Sequence, residues 1–223
     1  MNRHSVRMLA MTSVILAAAI AGSGAAQAYD AKPTDHRKFV TLTADLTALN
    51  NSGATGTATA IIRAERIKKI RVTADGLTPG APHAQHIHFG EQAMKECPTM
   101  ALDTNKDGRL NTTEGAPAYG PVVVSLTTKG DTSPASLLAV SRYPVSQGGS
   151  YEYSRNNIRF SRVDGVGTAV EIAAAVRAGK GVVVIHGVDY NKDGKYDFSS
   201  GKSDLDPSLP AEATDPAACG VLR

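Results

Sequence analysis

From Val40 the chain alternates apolar and polar residues: Val40, Leu42, Ala44, Leu46 and Ala48 are separated by Thr41, Thr43, Asp45 and Thr47. A period of two marks a half-buried strand, because successive side chains point to opposite faces. "NNSG" at Asn50 to Gly53 predicts a turn, and Thr55 to Ile62 a second strand rich in Thr and Ile. Ile70, Val72 and Ala74 mark a third, closed by Asp75-Gly76 and by "TPG" at Thr78 to Gly80. The first half thus predicts an antiparallel meander. Further strands are expected at Val122 to Leu126, Leu137 to Tyr143, Asn157 to Val163 and Gly181 to Val188, between segments rich in Gly, Pro, Ser and Asp. One segment departs from this rhythm. "TAVEIAAAVRAGKG" carries Val170, Ala173, Ala174 and Val176 at helical spacing with a stop at Gly179, which predicts a short helix. Many short strands and one helix predict an all-β sandwich or barrel with long loops.

The N-terminus changes the compartment in which that fold is expected. Arg3, His4 and Arg7 precede the apolar run "MLAMTSVILAAAIAG", and "AQA" at Ala26 to Ala28 has the small-x-small form of a signal-peptidase site. Residues 1–28 are therefore expected to be a signal peptide, and residues 29–223 a single secreted or cell-envelope domain. No later apolar run is long enough to span a bilayer. Loss of Arg3 and Arg7 leaves 22 of the 24 basic residues against 21 acidic ones, a near-neutral balance without the basic stripe that nucleic acid or anionic lipid requires. The two cysteines, Cys97 and Cys219, are expected to pair in an exported chain and to dock the C-terminal tail on a mid-chain loop.

Candidate chemistry is concentrated in two kinds of residue. Three of the six histidines fall in "APHAQHIHFG", Ala81 to Gly90. On a strand, His86 and His88 present two imidazoles on one face while Ile87 faces the core. "GVVVIH" ends an apolar strand in His186, which can complete a three-imidazole metal site. The alternative for these residues is an exposed polar face at His86 and His88 and a hydrogen-bonded core histidine at His186. His83 lies nearer a turn.

The second kind is acidic. "DTNKDGRLNTTE" satisfies D-x-[DN]-x-[DN]-G-x5-E in full. Asp103, Asn105 and Asp107 supply side-chain oxygens for calcium, Gly108 makes the sharp turn, Arg109 offers its carbonyl, Asn111 occupies position 9 and Glu114 closes the site. Pro98, Gly115 and Pro117 flank the loop too closely for a full pair of EF-hand helices, so an insertion at about residues 97–120, clamping rather than sensing, is expected. "DYNKDGKYD" repeats the pattern at Asp189, Asn191, Asp193 and Asp197 but has Ser200 at position 12. It reads equally as a second calcium loop, helped by Asp204 or Asp206, or as an Asp-Gly hairpin turn.

"GLTPGAPHAQHIHFG" resembles the copper-ligand strand of copper/zinc superoxide dismutases and, more closely, the His-containing strand of the CHRD (chordin-type) domain. "VRAGKGVVVIHG" resembles the second CHRD signature, and "AACGVL" is similar to the dismutase C-terminal segment whose Cys pairs with a loop Cys. The resemblance implies a Greek-key β-sandwich or barrel, with His86, His88 and His186 on copper-ligand positions. It stops there. No His lies between Cys97 and Val122 to bridge to zinc, and Pro216 stands where the dismutase pattern has an Arg. Zinc and fast dismutation are therefore not expected. The sequence points to a metal-binding, non-catalytic protein taking calcium and copper; a copper-dependent redox enzyme and an envelope interaction module with structural calcium are its alternatives.

Overall fold

A computed structural model describes residues 38–223, so the expected signal peptide, residues 1–28, lies outside the described residues. The alternating segments form strands β1 (Val40–Ala48), β2 (Thr55–Arg63) and β3 (Arg66–Asp75), and their alternation is visible in the burial of Leu42, Ala44 and Leu46 against exposed Thr41, Thr43 and Asp45. Asn50 and Asn51 both take φ of 53°, and Ser52 N donates to Leu49 O at 3.0 Å, the two-residue left-handed turn that matches strand twist in a hairpin. The remaining strands are β4 (Gln85–His88), β5 (Val122–Ser125), β6 (Tyr151–Arg159), β7 (Val182–His186) and β8 (Pro216–Val221).

All eight lie in one sheet of order β5-β4-β7-β8-β1-β2-β3-β6, and each neighbouring pair is antiparallel. The expected all-β antiparallel class holds, and the non-consecutive neighbours β4–β7, β8–β1 and β3–β6 are the crossovers that a Greek-key arrangement needs. Side chains draw the two edges together. Tyr153 Oη donates to Thr127 O at 3.2 Å, and Arg155 Nη1 donates to Thr127 Oγ1 at 2.6 Å. Ile62, Ile70, Ile87, Phe160 and Ile185 fill the interior of this curled sheet.

Two expected strands are corrected. Residues 137–143 are not a strand but lie among the tight turns Pro134–Ser136 and Val140–Arg142. The Asp131 carboxylate accepts from Ser133 Oγ and Ser136 Oγ, both at 2.6 Å, and fixes the turn that begins at Pro134. The apolar residues there cover a neighbouring face instead of pairing in the sheet. The strand expected at 157–163 instead starts at Tyr151 and ends at Arg159, with Asn157 at φ 56° breaking its alternation.

Among the described residues, three short helices stand where one was expected. Helix α2 (Ala169–Ala175) is the expected one, with Thr168 and Glu171 forming a capping box and Gly179 at φ 81° ending the turn that follows. Helix α1 (Thr112–Tyr119) contains Gly115 and Pro117 and opens on a second capping box, formed by Asn111 and Glu114. Helix α3 (Ala211–Thr214) is a single turn before β8. Cys97 and Cys219 form the expected disulfide. No helix among the described residues is long and apolar enough to cross a membrane.

Candidate metal centre

The pairing of β4 with β7 brings the three histidines together. In the register His86↔Val184, His186 lies two residues farther along β7 and therefore on the same face as His86 and His88. Ile87, Val183 and Ile185 point the other way, into the main core. The histidine face is not the exposed polar surface that the sequence left open. Long connections roof it, and His86, His88 and His186 retain only 4%, 2% and 3% exposure. Tyr119 of α1 packs at a tilt with its ring centroid 4.5 Å from that of His88, and Tyr143 lies edge-on to His86 at 5.4 Å.

Each ring is held by one nitrogen and leaves the other free. His88 Nδ1 donates to Gly120 O at 2.8 Å, and His186 Nδ1 to Thr214 O at 2.6 Å. For His86 the tautomer follows from Tyr143, whose hydroxyl donates to Ser136 O at 2.8 Å and so accepts from His86 Nε2 at 2.9 Å. Leu137 O lies 3.2 Å from the same nitrogen. Three lone pairs remain: His86 Nδ1, His88 Nε2 and His186 Nε2 are buried without a partner. The ligating atoms of these residues lie within 4.8 Å of one another, the one such group of three among the described residues.

Burial also keeps the imidazoles neutral. It lowers the pKa of His88 to about 3 and of His186 to about 4, and holds His86 well below its usual 6.5, with mutual repulsion of the rings adding to the first and last. Neutral imidazoles with fixed tautomers are the form in which histidine ligates a metal. Buried nitrogens left without a partner cost about 1–3 kcal/mol each, which a metal ion relieves. The residues therefore fit a metal ion. His83 does not join them: Nδ1 lies 3.0 Å from His186 O, Nε2 3.3 Å from Thr78 O, and Tyr196 Oη packs on the ring.

The two acidic loops share one hydrogen-bond scheme. Gly108 N donates to Asp103 Oδ2 and Gly194 N to Asp189 Oδ2, at 2.9 and 2.8 Å. Asp107 N and Asp193 N donate to Asn105 Oδ1 and Asn191 Oδ1, at 2.8 and 3.1 Å. The Glu114 carboxylate accepts from Thr104 N and Asn111 N, the second and ninth residues of its loop. In the other loop the same two places, Tyr190 N and Asp197 N, donate to Glu212 at 3.0 and 2.8 Å. Asp103 Oδ1 is buried and unpartnered inside the first loop. The side chain of Arg109 pairs with Asp107 at 2.9 Å and Asp215 at 3.2 Å. The tail acids lie elsewhere: Asp204 accepts from Thr113 N at 2.6 Å, and Asp206 turns back onto Ser208.

Sequence reading missed Glu212 and Asp215. Both are fully buried acids in "PAEATDPAAC", and an acid inside so apolar a run was the available signal. Their segment joins the three features. Thr214 O accepts from His186 Nδ1 and from Thr112 Oγ1, Glu212 holds the second loop, and Asp215 joins Arg109 to Tyr190. Burial pushes the Asp215 carboxyl up to about 7. Among known proteins the chain matches no family model, and no curated protein is significantly similar to it.

Proposed function

We propose that the protein is an exported metal-binding domain of the CHRD type, with copper held by His86, His88 and His186 and calcium held by the acidic loops. The observation that carries this reading is the set of three buried imidazole nitrogens without a partner, on three residues whose ligand atoms come within 4.8 Å of one another. Copper is preferred because imidazole sites favour it over the other divalent first-row metals and because the three residues fall on copper-ligand positions of the resemblance. When bound, the metal supplies a Lewis-acid centre able to change oxidation state. The chain's own residues fix the rings, keep them unprotonated and exclude bulk water. The disulfide supports an oxidising compartment.

Calcium is supported by the complete motif at Asp103 to Glu114 and by the matching loop at 189–197, where Glu212 takes the place of the missing position-12 Glu. Binding rather than turnover is favoured by Pro216 at the Arg position of the dismutase pattern.

Elemental analysis of the protein isolated from its export compartment, without added metal or chelator, tests the reading. One copper per chain, lost in a His86→Ala/His88→Ala/His186→Ala variant that keeps its strand spectrum, is expected. Absence of copper, with none taken up on titration, would overturn the metal centre and leave the interaction-module alternative. Dismutation by the copper-loaded protein that disappears in His88→Ala would favour an enzyme.

A further inference from the structure

The face of the three-imidazole centre that the protein leaves uncovered is aliphatic. A cleft with a volume of about 30 Å3 opens over His86, His88 and His186, and Val122, Leu137, Leu138, Val140 and Leu205 line it. Leu137, Leu138 and Val140 come from the turns that replaced an expected strand, and they are half-buried; Leu205 stands 42% exposed at the mouth. No Lys, Arg, Asp or Glu lines the cleft. The charge that bears on His186 from nearby is the carboxylate of Asp204.

These features select a ligand by charge and by size. An anion entering an apolar cleft sheds its hydration without gaining a cation, and it meets the field of Asp204. A cavity needs roughly 10–15 Å3 to hold one water-sized molecule, so the volume present has room for a diatomic molecule over the three imidazoles.

We propose that the open position of the His86, His88 and His186 centre binds a small uncharged molecule of the size of dioxygen or carbon monoxide, which enters through the aliphatic cleft, and that anions are kept out. This rests on the reading of the centre as a copper site.

Carbon monoxide and azide are the probes. Protein loaded with cuprous copper is titrated with carbon monoxide and followed by the infrared band of the bound gas. Protein loaded with cupric copper is titrated with azide and followed by its electron paramagnetic resonance spectrum. One carbon monoxide per copper is expected, together with a cupric spectrum that millimolar azide leaves unchanged. Leu205→Arg, at an exposed position that leaves the ligands untouched, is expected to raise azide affinity by about tenfold, the order of one charge pair in a partly solvated cleft, at unchanged copper content. Copper uptake with azide binding below millimolar, with no carbon monoxide band, or with azide affinity unmoved by Leu205→Arg overturns this inference alone. Failure to take up copper overturns it together with the copper site.

Discussion

The buried histidine cluster makes a quantitative prediction about acid. In the unfolded chain an imidazole titrates near 6.5, whereas burial lowers His88 to about 3 and His186 to about 4 in the folded protein. The unfolded state therefore binds more protons as pH falls, so stability is full above about 6.5 and is lost as pH descends from there towards the folded values. At pH 5 protonation lowers the free energy of each unfolded imidazole by about 2 kcal/mol, while the folded one gains almost nothing. The Asp215 carboxyl acts in the opposite sense, since its raised pKa of about 7 lets the folded state take up a proton on acidification. A comparison of variants separates the two. In chelator, urea unfolding of the wild type and of His88→Gln at pH 7 and pH 5 is expected to show a pH dependence smaller by about 2 kcal/mol in the variant. His186→Gln should behave alike. If wild type and His88→Gln lose stability in parallel, His88 titrates in the folded protein as it does in water, and burial does not hold it neutral.

Three further outcomes are expected. Replacing both Cys97 and Cys219 by Ala should destabilise the protein by about 5 kcal/mol on the chain-entropy model, because the bridge closes a separation of 122 residues; the midpoint of denaturant unfolding measures it. Calcium should raise the melting temperature of the wild type, and the rise should shrink in Glu114→Ala and again in Glu114→Ala/Glu212→Ala if each carboxylate closes its own loop. An equal rise in all three would refute both assignments. Tyr143→Phe keeps the ring on His86 but removes the oxygen that accepts from Nε2. Copper affinity should fall about 10–100-fold with stoichiometry unchanged, as measured by competition with a chelator.

Strands whose burial alternates were legible, since period two in Val40 to Ala48 reports directly which face is covered. His86 and His88 were legible for the same reason, with His186 placed by the apolar run that ends on it. Residues 137–143 were misread because Leu137, Leu138 and Val140 are apolar for another purpose: they cover histidines on the outer face of β4 and β7 instead of entering a sheet. Period alone does not distinguish a strand from a lid. Glu212 was illegible at the second loop because it reaches that loop across space from twelve residues beyond position 12. Glu114, by contrast, closes its loop from within the motif.

Strand β8 is the seam between β7 and β1, pairing with one through Val184↔Cys219 and with the other through Thr47↔Cys219. Remove it, and the sheet falls into β5-β4-β7 and β1-β2-β3-β6, joined by the side-chain bridges across the opposite edge. A chain in which β8 is not yet docked consequently carries two unjoined half-sheets. The partner of Cys97, the Thr214 carbonyl that orients His186, and the strand that unites the sheet all lie within residues 214–223. Docking of residues 214–223 thus completes the sheet and sets the orientation of His186 in one step.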